Sequence, residues 1–517
     1  MASYAGEKAI PVATESPDSN SDEHKGAAHY VENTGSQADG VCRDALRVDG
    51  DNLDHETEPE MTLRRFMSLL AMSLLFVGSQ IPVYLFGSIP PYIYRDIGGS
   101  DRWIWFILGN LLALAGKRGA YVAVLVFTVL PFVPSSLYAQ LIASHATWRY
   151  CGLIICVWNG LALIITSVFY FPPPRPNSMG KTKKQVLAEI DYVGGLLSVS
   201  GLVLFLAGMQ WGGYQYKWKS VHVLVPLLIG SVLIIAFVIW EAWFAKHPMF
   251  PRRLKQNPRI LALTLLITFI SGANFFSYLM FWPTQSYNVY GHDPLQVGLR
   301  TLPPALAILT GACVVLALLS YFRGRNKELM IISCLLMTSG TGALACATPY
   351  NMNKLWGLLI LGGLGIGGIV VPASIISTII CPDDLIATVS ALTLSIRVVG
   401  GCVGYCAYYN VLVGKFTPNA LKYIAAPMVE AGITNMTVIT EAILLTSASL
   451  LDEIKALPGL QDETLYNAVV EGGRMAYSES YKYVYLGSIA AGSVSIIAAF
   501  CLGEIDQYMD EHVAVIM

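Results

Sequence analysis

Arg397 is the charged residue that lies deepest within an apolar segment of this chain, the run 385–413. A charge at mid-bilayer costs about 2.5–3.5 kcal/mol on insertion scales, so an arginine at such a depth indicates function. We expect its guanidinium to face a water-filled cavity and to hold an anionic group or a gating carboxylate. The alternative is a structural arginine that donates to neighbouring backbone carbonyls.

Uncharged polar side chains within apolar segments form a second set, and aromatic residues accompany several of them. Each could hydrogen-bond to a substrate or simply to a neighbouring helix. Together they would suit a roomy cavity for an amphipathic organic molecule. The candidates for such a path are Gln80, Tyr84, Gln140, Asn159, Asn274 and Trp282, in addition to Arg397.

Prolines and glycines indicate where helices bend or pack closely. Pro131 and Pro134 stand three residues apart in an apolar run, which predicts a kinked helix. The stretch GGLGIGGIVVPAS (362–374) lies within an apolar helix and follows no strand, so we reject a nucleotide-binding interpretation. Small residues instead predict close helix packing. The packing or kink residues there and in the next segment are Gly365, Gly368, Pro372, Gly400 and Gly404.

The elements that must position these residues are membrane helices. Of 517 residues, 54% are hydrophobic and 13% are charged, which is typical of a polytopic membrane protein and not of a soluble one.

The histidines lie in tails, loops or at helix ends, which argues against a metal site or an enzyme. The net charge of −2 gives no indication of nucleic-acid binding, and the cysteines suit membrane packing better than disulfides. We place twelve apolar segments at 66–89, 103–115, 120–143, 151–171, 191–211, 221–244, 260–283, 301–322, 328–349, 355–380, 385–413 and 482–503.

The excess of Lys and Arg in alternate loops predicts that both termini are cytosolic. Residues 1–62 are polar and are predicted to be a disordered cytosolic tail, and 504–517 a second cytosolic tail. The membrane domain would then cover 63–503, and 414–481 would be an extracellular loop. Within that loop, VITEAILLTSASLL (438–451) predicts an amphipathic or interfacial helix, and Asn435-Met436-Thr437 is an acceptor pattern for N-glycosylation.

Several longer stretches resemble the fungal trichothecene efflux pump family, in the 14-helix drug:H⁺ antiporter branch of the major facilitator superfamily. Among them are TWRYCG (147–152), FYFPPPR (169–175), QWGGYQY (210–216) and GIGGIVVPASIISTIICPDDLIATVSALTLSIRVVGG (365–401). The resemblance implies an all-α bundle that exports an amphipathic toxin or drug by alternating access, coupled to protons. It implies no enzyme activity and no cofactor. The plasma membrane is the expected location, with a vacuolar or vesicle membrane as the alternative.

One stretch departs from the family. In LLALAGKRGAYVAV (111–124) an apolar run stops at Ala115, and Gly-Lys-Arg-Gly follows. Members of the family continue through the rest of their second helix, a cytosolic loop with the superfamily signature G-x-x-x-D-R-x-G-R-R, and their third and fourth helices. The resemblance implies that these parts are missing here. Residues 66–244 would then form an incomplete N-terminal bundle with linker helices, and 260–503 would form a C-terminal bundle. Two alternatives to an exporter therefore stay open. One is a truncated or mis-spliced form that does not transport, and the other is a siderophore or other small-molecule importer of the same superfamily.

Overall fold

The computed structural model describes residues 63–86, 89, 92, 130–169, 185, 190–213, 215–246, 248, 258–322, 325–381 and 385–503. Both predicted tails, the short segment 103–115 and the Ala115–Gly116 junction lie outside the described residues. Within the described ranges the secondary structure is helical, apart from one isolated bridge between Gly212 and Tyr216. This confirms the prediction of an all-α protein.

Twelve main helices account for most of the described chain. They are α1 (Leu63–Phe86), α2 (Ser135–His145), α3 (Arg149–Phe169), α4 (Tyr192–Trp211), α5 (Val221–Ile239), α6 (Pro258–Tyr290), α7 (Pro294–Tyr321), α8 (Asn326–Ala343), α9 (Met352–Ile379), α10 (Ile386–Ala420), α11 (Met436–Ser447) and α12 (Glu463–Phe500).

Nine helices of the described part are long and apolar enough to cross a membrane, judged by length and composition. About 20 apolar residues are needed to span the hydrocarbon core as a helix, because every backbone polar group must be satisfied within the segment. Several of the nine bury few of their side chains inside the protein, and α3 buries only 6% of its most apolar window. Their remaining apolar surface suits contact with lipid.

The structure adds detail to two predicted segments. Of the run 120–143, for which the sequence predicts a kinked helix, the structure describes residues 130–143, which form a 3₁₀ turn at Leu130–Phe132 and most of α2. Pro131 lies in that turn and Pro134 caps α2, which fits a residue that cannot donate a backbone hydrogen bond.

The segment 414–481, predicted as a loop, is mostly helical. Helix α10 continues to Ala420, a π-turn and a short helix extend it to Glu430, and α12 already begins at Glu463. Helical structure does not decide on which side of the membrane this segment lies, so its extracellular position stays a prediction. The predicted helix at 438–451 is present as α11, and its buried residues Val438, Ile439 and Ala442 pack on protein.

Helices α6 to α10 and α12 surround one continuous apolar core. Helix α9 packs between α7 and α8, and glycines let the backbones touch. A Cβ at Gly365 would overlap the backbone nitrogen of Met337 on α8, and one at Gly368 would meet the hydroxyl of Ser333. Pro372 is buried on the same helix.

A second close approach joins α6 to α10. A Cβ at Gly400 would overlap the carbonyl oxygen of Phe269, and one at Gly404 would overlap the Cβ of Ala273. From the other side, a Cβ at Gly272 would overlap the carbonyl oxygen of Arg397. Helices α6 and α10 therefore lie in direct backbone contact.

The preceding helices pack in smaller groups. Helix α3 is tied to α1 by the indole Nε1 of Trp158, which donates to the carbonyl of Leu74 at 2.9 Å. Helices α4 and α5 form a pair, and the amide of Asn410 on α10 donates to the carbonyl of Met209 on α4 at 2.7 Å. Helix α2 lies against α7.

The α6–α10 contact predicts the effect of adding one methyl group. We expect Gly400→Ala to lower the free energy of unfolding by about 1–3 kcal/mol, because the new Cβ has no room beside Phe269. Gly414→Ala is the matched control on the same helix, since nothing lies within 4 Å of its new Cβ. Thermal unfolding of the purified protein in detergent measures both, and equal melting temperatures for the two variants would contradict the prediction.

Candidate functional site

Four helices bring polar and aromatic side chains to one small cavity in the C-terminal bundle. Its volume is about 10 Å³, about the space that a single water molecule needs. The bundle is therefore closed around this point in the present conformation. The lining residues are Asn274, Ser277, Tyr278 and Phe281 of α6, Thr341 of α8, Tyr408 of α10, and Val484, Tyr485 and Ser488 of α12.

Hydrogen bonds from three tyrosines hold this cavity together. The hydroxyl of Tyr408 donates to Oδ1 of Asn274 at 3.0 Å, and that of Tyr485 donates to Oε1 of Gln285 at 2.5 Å. The hydroxyl of Tyr278 donates to the carbonyl of Leu359 on α9 at 2.6 Å. These bonds connect α6 to α9, α10 and α12 across otherwise apolar packing.

Two buried donors at or beside the cavity have no hydrogen-bond partner among the described residues. They are the hydroxyl of Ser277 and the amide Nε2 of Gln285. An unsatisfied buried polar group costs about 1–3 kcal/mol, so such groups call for an explanation. A water molecule or a ligand oxygen would satisfy both donors.

Polar side chains of α6 recur at steps of three residues in two groups, and a step of eight residues, about two turns, separates the groups. Ser271, Asn274, Ser277, Gln285 and Asn288 are all buried, and this spacing places them along one face of the helix. Of these, the sequence analysis singled out only Asn274. Their spacing within an apolar helix was the signal that would have found the others. Tyr408 and Tyr485 carried no such signal, because tyrosines are frequent throughout this chain.

Arg397 lies beside this region but is not among the residues that line the cavity. Its Nη2 donates to the carbonyl of Val370 on α9 at 2.9 Å, and its Nε has no partner among the described residues. The residue is only 7% exposed. A guanidinium has five N–H donors, so this buried cation retains capacity to bind an anionic group. The observed contact is the one expected of the structural alternative.

The other predicted path residues lie elsewhere. Trp282 is buried, and its Nε1 donates to the carbonyl of Arg300 at 2.9 Å, which ties α6 to α7. Asn159 donates to the carbonyls of Gly78 and Ile155 and so joins α3 to α1.

Three predicted residues belong to the helices before α6. Gln140 is buried on α2, and Gln80 is half-buried on α1. The backbone of Tyr84 lies in α1, but its side chain lies outside the described residues. Of the predicted path residues described, only Asn274 lines the cavity.

Asn435 is exposed and caps α11. Its Oδ1 accepts a hydrogen bond from the backbone nitrogen of Thr437 at 3.0 Å. This hydrogen bond uses the side-chain oxygen of Asn435 and not its amide nitrogen, which is the atom that would carry a glycan.

The helices and this interior polar site define a polytopic membrane protein, and comparison with known proteins narrows the class. Residues 97–517 match the family described as "Fungal trichothecene efflux pump (TRI12)". The chain belongs to this family.

Two relatives of this chain are named as efflux pumps. The trichothecene efflux pump TRI12 of Fusarium sporotrichioides is 24% identical over 382 residues, which cover 72% of this chain and 63% of that pump. The rubrofusarin-specific efflux pump aurT of Gibberella zeae is 26% identical over 347 residues, which cover 62% of this chain and 63% of that protein. The chain thus spans somewhat less than two thirds of the length of these relatives.

The bond between Tyr408 and Asn274 predicts an energetic coupling. We expect Tyr408→Phe and Asn274→Leu to show an interaction energy of about 1 kcal/mol in a double-mutant cycle, because either change removes the same hydrogen bond. Thermal unfolding in detergent provides the four values. Additive effects of the two substitutions would mean that the bond contributes nothing to stability.

Proposed function

We propose that this protein is a membrane transporter that exports an amphipathic toxin or drug, with trichothecene-like molecules as the first class to test. The observation that carries the proposal is the polar and aromatic cavity inside the helical bundle of a chain that belongs to an efflux pump family. Relatives named as efflux pumps support the outward direction.

The chemistry of the cavity indicates the kind of substrate. Its lining side chains are hydroxyls, one amide and aromatic or aliphatic groups, and none of them is charged. Hydroxyl and amide groups can both donate to and accept from ligand oxygens, while aromatic faces cover an apolar ring system. Side chains of this chemistry would suit an uncharged, oxygen-bearing and largely apolar molecule in a conformation in which the helices have moved apart, because the closed cavity holds only about one water molecule.

Transport requires that this closed cavity opens to each side in turn. In transporters of this kind, one bundle of helices rocks against another around a fixed site. The glycine contacts of α9 and α10 suit such motion, because smooth backbone surfaces can slide without displacing side chains. Arg397 would stabilise one of the conformations by binding an anionic group that approaches α9 and α10.

The proposal extends to energy coupling and location. We propose proton antiport, the plasma membrane and cytosolic termini, with a vacuolar or vesicle membrane as the alternative location. A collapsed pH gradient should then stop export. Fluorescent tags on each terminus, quenched from either side of the membrane, would report the orientation.

A trichothecene export assay separates this proposal from its two rivals. The protein is reconstituted into liposomes, and movement of a tritiated trichothecene is followed with and without a pH gradient. Gradient-driven extrusion supports the exporter. Accumulation would indicate an importer, and no movement would favour a truncated or mis-spliced form that inserts without transporting.

The buried guanidinium of Arg397 predicts a transport phenotype. We expect Arg397→Ala to abolish toxin resistance in a sensitive host while leaving the amount of protein in the membrane unchanged, because the buried cation that we propose binds an anionic group is lost. Arg149→Ala is the control, since Arg149 is exposed at the start of α3. Full resistance in the Arg397 variant would exclude the proposed role.

The exposed Asn435 predicts a modification. If residues 431–435 face the secretory lumen, as the predicted topology requires, we expect a glycan that a peptide N-glycosidase removes with a shift in gel mobility. Asn435→Gln should show the faster mobility without enzyme. A parent protein with no enzyme-sensitive shift would contradict both the modification and this support for the topology.

A further inference from the structure

One end of the C-terminal bundle carries two arginines that approach each other from different helices. Helix α6 ends at Tyr290 and α7 begins at Pro294, so the turn between them lies at this end. Arg300 lies about two turns into α7, and Arg474 lies in the first half of α12. A Cβ at Gly291, in the turn before α7, would lie 3.7 Å from Nη2 of Arg474. The side chain of Arg474 therefore extends from α12 to the start of α7.

The two guanidinium groups carry like charges that repel each other. Arg300 and Arg474 lie close enough for this repulsion to affect Arg300. Arg300 also belongs to a helix that is long and apolar enough to cross a membrane. A charged side chain in such a segment is rare and indicates function. The pair therefore calls for a negatively charged partner that both arginines can reach.

Two carboxylates lie near the arginines, and each has another hydrogen-bond partner. The carboxylate of Asp293 caps α7 and accepts from the backbone nitrogen of Leu295 at 3.1 Å. One oxygen of Glu471 accepts a hydrogen bond from the hydroxyl of Tyr350, in the turn between α8 and α9. The other oxygen lies 3.6 Å from Nη1 of Arg474, which is longer than a hydrogen bond. Neither carboxylate therefore forms a close bidentate pair with an arginine.

The two arginines form few hydrogen bonds for groups with five N–H donors each. Nη1 of Arg300 donates to the carbonyl of Tyr290 at 3.3 Å, and its guanidinium lies 5.7 Å from the centre of that tyrosine ring. Nε of Arg474 is buried and has no hydrogen-bond partner in the described part of the chain. About a third of the Arg474 side chain is exposed, at 35%. A ligand can therefore reach its outer nitrogens.

A phosphate group suits this pair of guanidinium groups. It carries negative charge on several oxygens, and arginine binds such oxygens through two parallel N–H···O bonds. One phosphate could accept hydrogen bonds from both arginines and offset their repulsion. The site also lies where the apolar helices α6 and α7 meet, which is the level at which a bilayer presents its headgroups.

The surroundings of the arginines favour a lipid as the source of this phosphate. Tyr350, whose hydroxyl bonds to Glu471, is 77% exposed, and Leu295 and Leu299 on the first turns of α7 are also exposed. Exposed aromatic residues at helix ends are typical of the interface between a membrane and water. Exposed leucines provide apolar surface for acyl chains.

We infer that Arg300 and Arg474 bind one phosphate group between them, at the end of the bundle where α6 meets α7. The neighbouring apolar surface favours a phospholipid headgroup as the source, and inorganic phosphate is the alternative. A bound phosphate would connect α7 to α12, which the described hydrogen bonds of these arginines do not. The site does not depend on the function proposed above.

Native mass spectrometry of the full chain in detergent measures lipid binding directly. The protein is titrated with dioleoylphosphatidylglycerol, whose headgroup carries one phosphate, and with dioleoylglycerol, which has the same acyl chains and no phosphate. We expect a saturable adduct with the phosphate-bearing lipid and none with dioleoylglycerol. In parallel, thermal unfolding with and without inorganic phosphate tests the soluble source.

Single substitutions separate this site from general attraction between lipid and protein charges. We expect Arg300→Gln and Arg474→Gln each to weaken phosphatidylglycerol binding by about tenfold or more, because each removes charge-assisted hydrogen bonds. Arg325→Gln is the matched control, since Arg325 is exposed and lies beyond the opposite end of α7, and it should bind the lipid as the parent does. Glu471→Gln should tighten binding, because it removes a negative charge beside Arg474.

Three results would overturn the site. They are equal binding of phosphatidylglycerol by the parent and both arginine variants, equal binding of dioleoylglycerol by the parent, and binding by Glu471→Gln that is no tighter than that of the parent. The Glu471 variant keeps the test decisive if the arginine variants fail to fold. If inorganic phosphate stabilises the parent and neither arginine variant, and no lipid adduct forms, the phosphate site is supported and free phosphate is its source.

Discussion

The direct backbone contact between α6 and α10 is the constraint on which the interior of this protein depends. Gly272, Gly400 and Gly404 remove the side chains that would keep the two helices apart. Only at this distance can the hydroxyl of Tyr408 reach Asn274. The same contact sets the position of Arg397, whose carbonyl lies against Gly272 while its guanidinium extends to Val370 on α9. The close packing of these glycines therefore also determines where the neighbouring polar side chains lie.

A second constraint follows from the apolar surroundings of these polar groups. A buried hydrogen bond in a low-dielectric interior is strong, and an unpaired group there is costly. The tyrosines of α10 and α12 satisfy the amide oxygens of α6, whereas Ser277 and Gln285 retain donors without a partner in the described part of the chain. A bundle built in this way is stable when closed and can still gain hydrogen bonds when it opens around a ligand.

The sequence predicted the class of protein and most helices well, because both follow from local properties. Runs of apolar residues identify membrane helices whatever their neighbours are, and the glycines of 362–374 indicated close packing before any partner helix was known. Helix ends were less predictable. The extension of α6 to Tyr290 includes polar residues that neighbouring helices bury, among them Gln285 and Asn288, and the early start of α12 at Glu463 includes exposed polar residues. Both stretches suggest loops when only the sequence is known.

The candidate site shows even more clearly which features follow from local sequence and which depend on neighbouring helices. The residue types alone singled out Asn274, since an amide within an apolar helix is conspicuous in any context. They also singled out Trp282 and Asn159, which turned out to donate to backbone carbonyls of neighbouring helices and not to line the cavity. Tyr408, Tyr485 and Ser488 could not be selected in advance, because their importance comes only from facing the same point as Asn274.

The sequence by itself therefore determined the environment and the family of this protein. Its composition and apolar runs require a bilayer, and its longer motifs identify the family. What only the tertiary structure decided is which polar groups meet. Residues 274, 408 and 485 are far apart along the chain, and hydrogen bonds depend on distances of a few tenths of an ångström that no local pattern specifies. The bond between Ser449 and Asn288 arises in the same way, because residues 161 positions apart meet only when the turn after α11 packs against the end of α6.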